Sequence, residues 1–342
     1  MHLSVVIPVF NARDSLRSCL EHLFRSDIDD YECIVVDDGS TDGSADVARE
    51  FRVTVVSTGF RGGPARARNL GVRAAKGEIL LFVDADVWVE PDTLRRVSDF
   101  FAANPDVSAV FGSYDDEPYH PNFLSQYKNL AHAFVHRTAH AEASTFWTGC
   151  GAVRRGVFVG VGGFDERRDR PACEDIELGY RLKLAGHRIR LDGTLRVKHL
   201  KLWSFWNLVR TDIFERSVPW TDMTIRHRFM PDDLNLEGGQ RISVVLALAL
   251  PATLLASALP GSPLAPAMIV SAGMLAAHTA LNLPLLRFLA RRRGRLFALK
   301  AAPLNLLAHL YSGLTFGVCL LTYPVRRSVA NYPKRDAQTG PL

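Results

Sequence analysis

Residues 242–286 contain no Asp, Glu, Lys or Arg. A stretch of that length without formal charge constrains this chain more than any other feature, because uncharged runs of 18 or more residues read as membrane helices. Pro260-Gly261-Ser262-Pro263 is a turn signal that splits the run in two. The first piece, 242–259, would rise roughly 27 Å as a helix, close to the ~30 Å hydrocarbon core. The second, 264–286, is long enough to span with some tilt. A further uncharged run covers 301–325, with a third span expected at 303–323. The plainer alternative is a buried helical bundle in a soluble protein.

Charge divides the chain at the same place. From Arg241 onward eleven Lys/Arg face a single acid, Asp336, so this part carries +10 and residues 1–240 carry −5 of the net +5. The segment Arg287–Lys300 holds six basic residues and no acid, which reads as a cytosolic loop between spans two and three. A third span would then leave Arg326, Arg327, Lys334 and Arg335 on the far side, unless that segment is re-entrant or interfacial or the rule is weak here. The position of the basic run between apolar segments favours anionic lipid over nucleic acid as its partner. Five scattered cysteines without a Cys-x-x-Cys pair give neither a disulfide framework nor a zinc knuckle. The opening Leu-Ser-Val-Val-Ile-Pro-Val-Phe has no basic leader, so no secretory signal is expected and the front half should be cytosolic.

That front half alternates short β-branched runs with amphipathic stretches. Strands are expected at Leu3–Phe10, Glu32–Val36, Val53–Val56, Ile79–Val83 and Val107–Phe111, with helices at Ala12–Arg25, Asp42–Phe51, Pro64–Ala75 and Pro91–Ala103. Such alternation predicts an α/β fold with a mostly parallel sheet, whose ligands bind beyond the carboxyl ends of the strands. The unusual polar residues fall at those ends. Val36 leads into Asp37-Asp38-Gly39-Ser40-Thr41-Asp42, and Val83 into Asp84-Ala85-Asp86. Ser40, Thr41 and Asp42 are explained by turn and cap chemistry; Asp37 and Asp38, following directly on a buried strand, are not. In an extended chain Asp84 and Asp86 would point to one side and share a hard divalent cation. Gly59–Asn69 brings glycines and Arg61, Arg66 and Arg68 to a helix start, a natural anion site that matches neither a P-loop nor a dinucleotide fingerprint.

Taken in order, Ser4–Asn11, Val36–Asp42, Ala67-Arg68-Asn69 with Gly71, Asp84-Ala85-Asp86, Trp147–Arg155, Gly162–Glu166 and Glu174–Leu182 resemble the family 2 glycosyltransferases over roughly residues 3–200. The resemblance implies a GT-A fold, a Rossmann-like catalytic domain using a nucleotide-sugar donor. By it, Pro8, Phe10 and Asp38 line the nucleoside pocket, Arg68 lies on the nucleotide side and Asp84 contacts ribose or sugar. Asp86, joined by His199, holds Mg²⁺ or Mn²⁺ at the diphosphate. Asp175 is the general base of an inverting transfer, and Trp147, Gly149 and Glu174 lie on the acceptor side. Glu174 would also raise the base's pKa by like-charge repulsion.

Residues 200–230 are rich in aromatics, and positions 202, 205, 206, 209 and 213 form a helical stripe that either packs on the catalytic domain or lies at a membrane interface. The expected organisation is a catalytic domain over 1–200, an interfacial linker over 201–241, a membrane domain over 242–325 and a basic tail over 326–342. The whole reads as a multi-pass inner-membrane glycosyltransferase with a lipid-linked or glycan acceptor, bound to membrane lipids and not to nucleic acid. Two rivals stand beside it. A sugar-nucleotide pyrophosphorylase would carry a Gly-rich, Lys-bearing loop after the first strand, which Asn11-Ala12-Arg13 lacks. An inactive membrane scaffold would not need Asp84, Asp86 and Asp175.

Overall fold

The computed structural model describes residues 2–167, 171, 173–228, 230, 234, 237–257 and 264–329. The chain divides into two compact units, the first reaching Leu202 and the second beginning at Trp203.

The first unit is built on nine strands: β1 (Leu3–Val9), β2 (Tyr31–Asp37), β3 (Thr54–Ser57), β4 (Ile79–Val83), β5 (Val87–Val89), β6 (Ala109–Tyr114), β7 (Glu142–Ala143), β8 (Cys150–Arg154) and β9 (Ile189–His199). Its helices are α1 (Arg13–Leu23), α2 (Ser44–Arg49), α3 (Pro64–Ala74), α4 (Thr93–Ala103), α5 (Phe123–Thr138), α6 (Arg155–Gly160) and α7 (Glu174–Leu184). The sheet order is β3-β2-β1-β4-β8-β6-β9-β5, with β7 paired to β9. β3, β2, β1 and β4 run parallel, as do β6 and β9; β8 runs antiparallel between β4 and β6. This is the α/β arrangement with a largely parallel sheet expected from the alternation.

Every residue of β4 is buried, as expected of a central strand covered on both faces. Gly71 lets α3 lie close on β1 and β2, because a Cβ there would come within 2.5 Å of Val6 Cγ1. Three expected elements differ in their limits. α2 starts after Gly43, whose φ of 86° is left-handed, so the N-cap position is Gly43, while Asp42 Oδ1 accepts from the N–H of Ser44, the first helical residue, at 3.0 Å. α4 starts at Thr93, two residues after Pro91. Asp84–Asp86 is not extended: Val87 N–H donates to Asp84 O across a tight turn, so the two carboxylates leave in different directions.

The second unit is helical: α8 (Phe205–Arg210), a π-helical turn at Thr211–Ser217, α9 (Val218–His227), α10 (Gly238–Ser257), α11 (Leu264–Leu281), α12 (Leu283–Arg293) and α13 (Arg295–Val329). Among the described residues two helices are long and apolar enough to cross a membrane, Gly238–Leu255 and Arg295–Tyr323, or three if α11 and α12 form one broken span. The expected second span, 264–286, does not run straight. It bends by 61° between Leu281 and Leu283, where Pro284 in the first turn of α12 lacks the N–H that would continue the ladder. The expected basic loop at 287–300 is helical instead, forming the end of α12 and the start of α13 around Gly294, whose φ is 90°. The Pro260–Pro263 turn and, beyond Val329, the basic tail lie outside the described residues.

Polar side chains link these apolar helices. His278 Nε2 lies 2.9 Å from His309 Nδ1, and His309 Nε2 lies 2.9 Å from Gln240 Oε1, joining α11, α13 and α10. Asn282, at the bend, donates to Ser243 Oγ at 3.0 Å.

Candidate functional site

Strand register decides which polar residues meet. β1 and β2 end together, Val9 opposite Asp37, so Phe10 and Asp38 emerge side by side. β8 begins where β4 ends, Val83 opposite Cys150, which sets Trp147-Thr148-Gly149 beside Asp84. β9 ends opposite β5, His199 facing Val87, which delivers His199 to Asp86.

Arg68 organises the acids. Reaching from α3, it donates to Asp84 Oδ1 and Glu174 Oε1, each at 2.7 Å, and is 4% exposed. Burial works against its charge, but Asp84 and Glu174 outweigh that and hold the guanidinium firmly protonated. Asp84 is pushed up by burial and by Asp86, against the pull of Arg68. Asp175, half-buried at the start of α7, is pushed up to about 6, by burial first and Glu174 second, with Arg68 opposing. Its Oδ2 faces Thr148 N–H at 3.4 Å and Thr148 Oγ1 at 3.5 Å, while its Oδ1 accepts from Ile176 N–H at 2.8 Å. Arg68, Asp84, Glu174 and Asp175 therefore form one electrostatic cluster, to which Asp86 couples through Asp84.

Asp86 faces His199, Oδ2 to Nε2, at 3.4 Å. Burial raises its pKa, but His199 and Lys201 more than reverse this, so the carboxyl lies below its usual value. Among the described residues no three His, Cys, Asp or Glu side chains converge on a ready-made metal cage. An oxygen and an imidazole nitrogen facing each other nevertheless suit a hard divalent cation that keeps positions free for phosphate oxygens. The donor set fits Mg²⁺ or Mn²⁺ held by Asp86 and His199.

Asp38 stands apart from this cluster. Its carboxylate accepts from Gly62 and Gly63 N–H, both at 2.8 Å, and from Thr58 Oγ1 at 3.1 Å, so it anchors the loop leading into α3. Above that loop Arg61 lies 4.3 Å from the Phe10 ring, and Arg66 lies 4.3 Å from the ring of exposed Phe60. Pro8 is half-buried in β1. Trp147 packs edge-on to Tyr114 at 4.8 Å and covers Gly149, where a Cβ would come within 2.2 Å of the indole. Glu174, expected on the acceptor side, is engaged by Arg68. Asn69 clamps the 162–166 turn, exchanging hydrogen bonds of 2.9 Å with Phe164 N–H and C=O.

Sequence reasoning missed Asn129 and Tyr114, which hold the His199 ring. No local signal marks Asn129, because its partner lies 70 residues away. Thr148 sat inside a quoted motif, but its neighbour Asp175 became visible only with α7 in place.

Comparison with known proteins decides the class. Residues 4–161 match the family described as Glycosyl transferase family 2. The chain carries a family 2 glycosyl transferase domain. The family 2 match spans β1 to β8 and includes Asp38, Arg68, Asp84, Asp86, Trp147 and Gly149. The chain is 38% identical over 112 residues to a poly(ribitol-phosphate) beta-glucosyltransferase of Bacillus spizizenii, covering 30% of this chain and 18% of that protein. It is 32% identical over 220 residues to a validoxylamine A glucosyltransferase of Streptomyces hygroscopicus, covering 54% of this chain and 52% of that protein. The chain thus spans about half or less of the curated relatives it matches. Among solved structures, mannosyltransferase PcManGT from Pyrobaculum calidifontis, in complex with GDP-Man and Mn2+, aligns with a TM-score of 0.61 at 22% identity, over 88% of this chain and 87% of that one. S. aureus TarS 1-349 in complex with UDP-GlcNAc aligns with a TM-score of 0.53 at 16% identity, over 95% and 92%. At such identities the likeness establishes the fold, GT-A.

Proposed function

We propose that this chain is a membrane-bound inverting glycosyltransferase that moves a sugar from a nucleotide-sugar donor to a lipid-linked or membrane-delivered acceptor. The observation that carries this reading is the Asp175 carboxyl, raised to about 6 and set beside the Arg68-centred acids on the sheet edge that bears Asp86 and His199. A base with that pKa is mostly ionised at neutral pH yet still basic enough to accept a proton from an attacking hydroxyl. Asp175 takes that proton as the acceptor oxygen bonds to the anomeric carbon, and the sugar–phosphate bond breaks with its electron pair leaving on the diphosphate. A divalent cation bound by Asp86 and His199 would supply charge neutralisation to the departing diphosphate. Arg68 stays locked to Asp84 and Glu174 and keeps three carboxylates within one small volume. Phe10 and Pro8 flank the expected nucleoside position, while Asp38 shapes it by fixing the 59–63 loop. Trp147, over Gly149, fits an acceptor-side wall.

The names of the relatives and the sugar-nucleotide complexes of the structural neighbours support the donor class. The apolar helices support membrane residence, with the catalytic unit on the cytosolic side. Phe205, Trp206 and Phe214 are exposed, Trp206 by 78%, which suits aromatics at headgroup depth between a catalytic domain at 1–200 and spans beginning near 242.

Purified protein in detergent, with divalent metal and UDP-, GDP- and dTDP-sugars, should show turnover with one donor class. Asp175→Asn is expected to lower that turnover by about 10²–10⁴-fold while nucleoside diphosphate still binds. Simultaneous loss of binding would make Asp175 structural and end the base assignment.

A further inference from the structure

His199 is held on three sides. Its ring stacks on Tyr114, centroids 4.5 Å apart and planes 9° from parallel. Its Nδ1 lies 3.0 Å from Asn129 Oδ1 on α5, and its Nε2 lies 3.4 Å from Asp86 Oδ2. Asn129 is 2% exposed and His199 7%, so the contact between them is shielded from bulk water, while the Asp86 side chain is 34% exposed.

A carboxamide oxygen has no proton to offer. The Asn129 contact therefore forms only when Nδ1 carries hydrogen and donates it. In a neutral imidazole the other nitrogen is then bare and presents its lone pair. That lone pair is aimed at the Asp86 carboxylate, at a separation longer than the 2.7–2.9 Å usual for a charge-assisted hydrogen bond. Two electron-rich groups facing each other are unfavourable alone and favourable around a cation. An imidazole that donates one ring N–H to a fixed oxygen while its other nitrogen ligates is also the usual outer-shell arrangement of metal-binding histidines.

We propose that Asn129 is a positioning residue: by accepting from Nδ1 it holds His199 in the tautomer whose Nε2 can bind a divalent cation together with Asp86. This rests on the reading of Asp86 and His199 as the cation-holding pair. Tyr114 adds orientation without choosing a tautomer, since a stacked ring exchanges no proton with the imidazole. Asn129 chooses it because only one nitrogen is within its reach. One competing arrangement is an imidazolium that donates from both nitrogens, Nδ1–H to Asn129 and Nε2–H to Asp86; the other is an inverted amide. Among the described residues Asn129 Nδ2 has no hydrogen-bond partner, and turning it toward Nδ1 would make Nε2 the protonated nitrogen and leave no lone pair for a cation.

The tautomer can be read directly on the full chain in detergent. Histidine is labelled with ¹⁵N, metal is removed by chelation, and the His199 signals are assigned by their loss in His199→Gln under mildly alkaline conditions. Protonated Nδ1 with bare Nε2 is the expected result; protonated Nε2 overturns the proposal. Mn²⁺ binding, followed by its paramagnetic resonance with UDP or GDP present, gives a second readout. Asn129→Leu should weaken Mn²⁺ binding by about 10–100-fold, and Asn129→Asp, which keeps an acceptor oxygen, should restore it. Unchanged Mn²⁺ affinity in an Asn129→Leu protein with an unaltered melting profile also overturns the proposal. If that variant fails to fold, the wild-type tautomer decides. Failure of the underlying reading looks different: the wild type would bind no Mn²⁺, or Asp86→Asn would bind it as well as the wild type.

Discussion

Asp175 sits between opposed influences, and each is a named group. Burial and Glu174 raise its pKa to about 6, while Arg68 lowers it. Turnover should therefore fall on the acid side with a limb near pH 6. Glu174→Gln removes the like charge and leaves Arg68 less compensated, so both changes move the limb to lower pH in a kcat/KM profile. A limb that stays in place would mean burial alone sets it. For stability the sign is opposite. A carboxyl raised above its unfolded value favours the folded state below the unfolded pKa, and that contribution is lost as pH rises through about 6. The same deprotonation that the proposed base role of Asp175 requires costs the fold some stability. Arg68 carries a larger burden, because it is itself buried and its removal leaves the half-buried Asp84 and Glu174 without their cation. Arg68→Met should destabilise the protein by about 3–5 kcal/mol, the range for breaking a buried pair from one side, as read from denaturant unfolding. A loss under 1 kcal/mol would show that the acids find water or one another instead.

Loops and strands place these groups with little tolerance. The 59–63 loop is tied by Asp38 to two backbone N–H groups, so Asp38→Ala leaves Gly62 and Gly63 unsatisfied. The expected cost is about 1–3 kcal/mol for each buried donor left unpaired, together with weaker nucleoside diphosphate binding in a calorimetric titration. Unchanged stability would mean water replaces the carboxylate. The motif residues of β1, β2 and β4 were legible because short apolar strands ending in Asp or Asn have a local signature. The turn at 84–86 was not. Sequence spacing alone suggests an extended Asp-x-Asp facing one cation, whereas the Val87-to-Asp84 hydrogen bond sends Asp84 to Arg68 and Asp86 to His199. β8 was likewise hidden, because an antiparallel strand inserted among parallel ones has no mark in its own residues.

The apolar helices and the α/β unit follow different rules of burial. In a bilayer apolar side chains can stay exposed to lipid, and the proposed membrane residence would account for Leu321 at 83% and Leu255 at 72% exposure. Polar links such as His278–His309–Gln240 are the exceptions that hold helices together. If the α12–α13 junction faces the cytosol, Arg292→Cys should react with an impermeant maleimide in inverted vesicles and remain unlabelled in right-side-out ones. The reverse pattern would invert the topology. Uncharged length, charge asymmetry and the ordered strand-end motifs were fully determined by local sequence, because each depends on residues within one element. Which acid faces which cation, where α11 breaks and which residue orients His199 were decided only by tertiary packing. Those side-chain contacts join residues 16 to 113 positions apart (199 − 86 for His199 and Asp86), and a linear chain carries no record of such distances until strand register and helix placement bring the side chains together.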